Sequence, residues 1–113
     1  MKTGIAILVV SESSLKLSLT IAKHLPGSNL YSSFESIFTD TIPSIATFLK
    51  EHFNRFEAFV FVGSLGICVR SIAPFITDKH TDPAIVNIDS TGKYIISVLS
   101  GHIGGANSLT KQI

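Results

Sequence analysis

The chain has 113 residues, 45% of them hydrophobic and 15% charged, with a net charge of +1 and a mean hydropathy of +0.44. One domain fits that length, and it is long enough to bury roughly two-thirds of the surface its unfolded form exposes. The composition excludes a disordered chain, the lack of a basic tail or stripe excludes the electrostatic footprint of a nucleic-acid binder, and a lone Cys68 excludes an internal disulfide and fits a reducing compartment.

Ile5–Val10 is a continuous apolar run ended by Ser11-Glu12-Ser13-Ser14, and it reads as a buried strand. It is too short for the core of a signal peptide and has no small-residue cleavage pattern. No run in the chain approaches the length that spans a bilayer, so the expected location is cytoplasmic, with no membrane partner. Ser13 or Ser14 caps the helix that follows. In that helix Leu15, Leu19 and Ala22 share one face, with Ile21 and Leu25 beside it, and Pro26-Gly27 ends it. Asn29–Tyr31 is a short second strand. Asp40 or Thr41 caps a second helix with Pro43 in its first turn. Ile45, Leu49 and His52, with Ala46 and Phe53, give that helix its inward face.

Ala58–Val62 is the next strand, rich in Phe and Val, and Gly63-Ser64-Leu65-Gly66 turns it into a helical stretch, Ile67 to Ala73, closed by Pro74. A polar connector runs from Thr77 to Pro83. Ala84–Ile88 and Tyr94–Leu99 then flank Asp89-Ser90-Thr91-Gly92, the pattern of a β-hairpin with a four-residue loop. Ser100-Gly101-His102-Ile103-Gly104-Gly105 makes a final turn, and Ala106 begins a last helix about two turns long. The alternation of strands and helices predicts an α/β fold, a three-layer sandwich with a mostly parallel sheet plus one β-hairpin. The whole chain is expected to be a single α/β domain, a fragment or trimmed domain of a longer protein.

Ligands of such sheets sit outside the carboxyl ends of the strands. Gly63, Ser64 and Gly66 form one strand-to-helix turn, and Ser100, Gly101, Gly104 and Gly105 form another. Read on a parallel sheet, both turns lie on one edge, each offering unpaired N–H groups and the positive end of a helix to an anion. The alternative is that these glycines only permit tight turns, and their spacing is neither a dinucleotide fingerprint nor a P-loop. Arg70 stands in an otherwise apolar helix, where it forks onto a carboxylate or simply faces solvent. His102 has the ordinary pKa for proton transfer near neutrality, about 6.5, and is the candidate catalytic residue; its alternative is a structural turn histidine. Lys79, in Lys79-His80-Thr81-Asp82-Pro83, is an anion clamp or part of a solvated connector. His24 and His52, near helix ends, read as structural, and Cys68 as a core residue. No Cys/His cluster has metal-ligand spacing, so no metal site and no resident cofactor is expected.

Three stretches together resemble a family. Gly66-Ile67-Cys68-Val69-Arg70-Ser71-Ile72-Ala73-Pro74 is similar to the G-I-x-V-R-x-I-A-P segment of CbiG-type cobalamin biosynthesis proteins. Asp78-Lys79 with Thr81-Asp82-Pro83-Ala84-Ile85-Val86 resembles the family's D-K-x-x-D-P-A-V-V run, and Asp89 to Gly92 resembles its hairpin turn. Ser97 to Asn107 resembles its I-S-L-L-S-G-H-x-G-G-A-N signature. The close match runs from about Val60 to Ile113, and the residues before it match only in pattern. His80 stands where a smaller residue is expected, and Gly63-Ser64-Leu65 departs from the usual approach to the Arg helix.

The resemblance implies a cobalt-precorrin-5A hydrolase of the anaerobic route to vitamin B12. Such an enzyme opens a lactone on a cobalt-corrin precursor and releases a two-carbon piece as acetaldehyde. It also implies a cobalt-corrinoid substrate fringed with carboxylates, cobalt carried by that substrate, and further domains downstream as partners. Arg70, Lys79, Asn107 and the two glycine turns become the substrate-binding set. The resemblance itself assigns no base or oxyanion donor; on chemistry alone His102 is the choice for the base that activates water, and the N–H groups of Gly104 and Gly105 for the oxyanion donors. A non-catalytic corrinoid- or polyanion-binding module serving a downstream catalytic domain is the alternative. A flavodoxin-like regulatory domain is a third reading, for which the Asp cluster or phosphate loop is missing.

Overall fold

The structure is a computed structural model and describes residues 2–100 and 105–112. One sheet contains β1 (Ile5–Val9), β2 (Asn29–Ser32), β3 (Asp40–Thr41), β4 (Ala58–Val62), β5 (Ala84–Ile88) and β6 (Ile95–Leu99). Helices α1 (Leu15–His24), α2 (Ile45–His52), α3 (Leu65–Ile72) and α4 (Ala106–Gln112) pack on its two faces. The strands lie in the order β3-β2-β1-β4-β5-β6, every neighbouring pair parallel except β5 with β6. This is the expected three-layer α/β sandwich with a mostly parallel sheet and one hairpin.

Strands covered on both faces are apolar at nearly every position, and Asn87 of β5 is the exception among the buried residues of β1, β4 and β5. Side chains alternate between the faces, and they divide the core in two. Leu8, Phe59, Phe61 and Ile85 meet Leu49 of α2 and Cys68 and Ile72 of α3 on one face. Ile7, Val60, Val62 and Val86 meet Ile21 of α1 and Ala106 and Leu109 of α4 on the other. Each large side chain buried this way contributes about 1.5–3 kcal/mol.

Helix α1 presents a different face from the one its apolar spacing indicates. Ser14, Ser18, Ile21 and Leu25 are buried, while Leu15 and Leu19 are only partly covered. Two small serines let the helix approach the sheet closely, and the Ser18 hydroxyl donates to the Ser14 carbonyl at 2.7 Å, which satisfies its polarity inside the core. Helix α2 is capped by Ser44, not by Asp40 or Thr41: the Ser44 hydroxyl accepts from the Thr47 N–H at 3.0 Å. Asp40 and Thr41 form β3 instead, paired with Tyr31 and Ser32. The inward residues of α2 are Phe48 and Leu49, with Phe53 just beyond; Ala46 is exposed. Helix α3 begins at Leu65, two residues before the expected Ile67, and passes at Ala73 into a 3-10 turn that holds Pro74.

Candidate functional site

The chain leaves β1 toward β2 on one side, while β4 lies against the other side of β1. The carboxyl ends of β1 and β4 therefore flank the point where the strand order reverses, where α/β sheets open a crevice for ligands. Two loops border it: residues 10–14 after β1, and Gly63 with Ser64 after β4.

Gly63 is wedged there. Its N–H donates to the Ile88 carbonyl at 2.8 Å, and its carbonyl accepts the Asn87 side-chain amide at 3.2 Å. A side chain at Gly63 would have its Cβ 2.8 Å from the Cβ of Val10. Glycine is thus required by the close approach of the two strand exits. Ser64 is the N-cap residue of α3, but its side chain makes no capping bond. Its hydroxyl turns instead toward Gly66, within 3.6 Å of where a Gly66 Cβ would stand.

Arg70 is exposed and folds back one turn along α3. Its guanidinium nitrogens lie 3.3 and 3.6 Å from that same Cβ position. The missing side chain of Gly66 is what makes room for the guanidinium over the first turn of the helix. No carboxylate among the described residues pairs with Arg70. Gly63, Ser64, Gly66 and Arg70 are therefore brought together as a cradle combining a charged fork, a hydroxyl and a helix start. That is equipment for holding a carboxylate, and by itself not for breaking a bond.

The remaining predicted residues do not join them. β6 runs antiparallel to β5, so it ends at the opposite edge of the sheet. There the Ser100 hydroxyl donates to the Asp82 carbonyl at 3.3 Å and the Ser100 carbonyl accepts from the Ala106 N–H at 3.2 Å. Ser100 and Gly105 have φ of 59° and 87°. The expectation that both glycine turns share one edge is corrected: the hairpin reverses the chain, and a strand of this length, about 15 Å, separates them. Asn107 stands in α4, which starts at that far edge. Gly101, His102 and Gly104 lie outside the described residues.

Lys79 is also at the far edge, exposed, in a loop organised by a buried carboxylate. Asp82 accepts from the Thr77 N–H and the Thr77 hydroxyl, both at 2.9 Å, and from the Asp78 N–H at 3.1 Å. Those bonds make 77–82 a folded loop leading into β5.

Chemistry elsewhere is sparse. Cys68 is fully buried, and burial pushes its thiol up to about 12, so it is inert at neutral pH. His52 stacks on Phe48 with ring centroids 4.6 Å apart. Among the described residues no group of three His, Cys, Asp or Glu side chains is placed to hold a metal ion. Among them, too, no helix is long and apolar enough to cross a membrane. An open hollow of about 350 Å³ lies between Lys50, Arg55, Phe75 and Thr77, and no predicted site residue lines it.

Sequence reasoning missed the other lip of the crevice. The Ser11 hydroxyl lies 2.9 Å from that of Ser13 and 3.3 Å from that of Ser14, a hydroxyl cluster at the exit of β1. Its signal was the Ser-Glu-Ser-Ser run itself, which carries meaning only once β4 is known to lie beside β1.

The family model described as cobalamin synthesis G N-terminal matches residues 47–113. A curated relative from Salmonella typhimurium named cobalt-precorrin-5A hydrolase is 48% identical over 64 residues, covering 57% of this chain and 18% of the relative. One of the same name from Priestia megaterium is 50% identical over 70 residues, covering 62% of this chain and 19% of the relative. The chain thus spans about a fifth of the length of these relatives. The crystal structure of a protein from Sulfolobus solfataricus, described as a cobalamin biosynthesis protein G homolog, superposes with a TM-score of 0.76 at 27% identity. That superposition covers 96% of this chain and 32% of that one.

Proposed function

The chain belongs to the cobalamin synthesis G N-terminal family, and from that premise we propose that it is the N-terminal part of a cytoplasmic cobalt-precorrin-5A hydrolase. The substrate brings its own cobalt and is fringed with carboxylates. In this reading the Gly63, Ser64, Gly66 and Arg70 cradle holds one of those carboxylates and so orients the macrocycle. Water then attacks the lactone carbonyl while a base takes its proton and hydrogen-bond donors stabilise the oxyanion. The acyl C–O bond breaks, giving a carboxylate and freeing a hydroxyl on the two-carbon piece. That hydroxyl loses its proton and becomes the aldehyde C=O as the carbon–carbon bond to the macrocycle breaks. The macrocycle takes the electron pair and a proton, and the piece leaves as acetaldehyde. His102 is assigned as the base, and the backbone N–H groups of Gly104 and Gly105 as donors. Lys79, Ser100, Gly101 and Asn107 are assigned to the substrate at that end.

The observation that carries this reading is the matched stretch itself. Residues 47–113 contain every predicted site residue, and the two relatives of that name are about half identical to the chain where they align.

A second reading is favoured by the edge-to-edge separation of the cradle from the Ser100 turn. The domain then binds corrinoid carboxylates, and downstream domains carry the chemistry. Acetaldehyde release from cobalt-precorrin-5A, measured for this chain and for a longer protein that carries it, tests both. Release by both places the reaction in this domain, and His102→Ala should then abolish it. Release by the longer protein alone makes this domain a binding half. No release by either overturns the hydrolase reading.

A further inference from the structure

The two margins of the sheet are built differently. β3 is only two residues long, and so short an edge offers little to a passing strand. β6 is five residues long, and from Tyr94 to Leu99 no residue is charged or proline. Charge and proline, two of the devices that keep an edge strand from pairing, are missing there, and the one irregularity in its register falls at its end, opposite Ile85 and Val86.

One face of β6 is only partly covered as well: Val98 and Leu99 pack against the core there, and Ile96 is exposed. Ile96 pairs with Asn87, so the two share a face, the one on which α2 and α3 lie. α3 covers β4 and β5 through Cys68 and Ile72. A helix turns about 100° per residue, and a right-handed crossover from β4 to β5 fixes which flank of α3 faces outward along the sheet. Leu65 and Val69 are on that flank, toward β6. Leu65 is 38% exposed, Val69 45%, Ile96 39% and Tyr94 66%. They border one uncharged groove between α3 and the edge strand. At its inner end the Oδ1 of Asn87, 1% exposed, has no hydrogen-bond partner among the described residues.

We propose that this groove and the edge of β6 are the docking surface for the polypeptide that follows α4 in the full-length protein. The matched family is described as N-terminal, and the aligned stretch is only 18% and 19% of the two curated relatives, so most of each relative lies beyond it. α4 returns from the end of β6 along the opposite face, packed on β5 and β6. A strand that follows such a helix in a right-handed crossover lands on the outer side of β6. The element after it then lies over the groove. Pairing supplies partners for the backbone groups of β6, and covering removes four large apolar side chains from water.

Thiol labelling of single-cysteine variants of the longer protein tests this. Val69→Cys and Ile96→Cys report on the groove, and Lys16→Cys, on the exposed side of α1, is the reference; native Cys68 is buried and stays silent. The groove positions should react slower than the reference by about tenfold or more, as buried sites do. Labelling as fast as the reference overturns the proposal. Protection that disappears on dilution, together with a dimer in sedimentation, also overturns it, because a second copy would then be the occupant. Unchanged circular dichroism of each variant ensures that the rates report the folded protein.

Discussion

Replacing Gly63 by alanine puts a methyl group where the structure leaves no room for one. The new Cβ would stand 2.8 Å from the Cβ of Val10 and 3.1 and 3.3 Å from its two methyl carbons, with φ at +154°. Val10 cannot rotate its Cβ away, because that atom is fixed by a backbone held to Val62 by an N–H to carbonyl bond of 3.3 Å. Overpacking of this kind costs about 1–3 kcal/mol, and the unfavourable backbone adds about 1–2 kcal/mol. The sum is about 3 kcal/mol, and at about 4–8 °C per kcal/mol for a domain near this size the melting temperature falls by roughly 15 °C. Gly27→Ala is the control: φ there is +83°, but nothing lies within 4 Å of the added carbon, so only the conformational cost of about 1 kcal/mol remains. Thermal unfolding followed by circular dichroism separates the two. If both variants lose the same stability, the strand exits of β1 and β4 are not wedged together, and the cradle has lost its foundation.

Other consequences are sharper in chemistry than in stability. Under the proposed function Arg70 holds a substrate carboxylate, and Arg70→Ala then removes a charge-assisted contact worth about 1.5–3 kcal/mol, so corrinoid affinity should fall about 10- to 100-fold. Because Arg70 is exposed, the unfolding free energy should change by less than about 0.5 kcal/mol; calorimetric titration and urea unfolding on the same sample check this, and equal losses in both would sink the cradle. Cys68 should be unreactive toward a thiol reagent at pH 8 until denaturant is added. Its thiol ionises only near 12 when folded and near the ordinary 9.0 when unfolded, so stability should fall as pH rises through that interval, and Cys68→Ala should remove that alkaline loss. The Asp89 carboxyl is held below its ordinary 3.8 first by the Thr91 hydroxyl and then by the Tyr94 N–H. Its contribution is complete above 3.8 and disappears as pH falls through the lower folded value. Asp89→Asn should therefore flatten the acid limb of a stability profile.

Legibility followed the length over which a signal is written. β1 and β4 are readable because strands buried on two faces are apolar throughout, and β5 is so but for Asn87. The hairpin is readable because Asp89 and Gly92 do local work: Gly92 takes φ of +77°, and Asp89 accepts the Tyr94 N–H at 3.0 Å. β3 is not readable, since two residues held only by pairing to Tyr31 and Ser32 carry no pattern. The buried face of α1 misleads, because Ser18 hides its hydroxyl in a backbone bond and passes for a surface residue. Half of the candidate site is legible in the Gly66 to Arg70 spacing, which is one helical turn. The division of the site between two edges is not, because it depends on where β6 ends, a property of strand order and not of any local run.

That strand order also governs when the protein can be completed during synthesis. Ala6 finds one neighbour early, Asn29 of β2, but its other neighbour is Phe59 of β4. Until that residue leaves the ribosome, one edge of the most central apolar strand stays open. The nascent half-sheet of β1 and β2 is therefore the species a chaperone would meet, and a translational pause placed before β4 would lengthen its exposure.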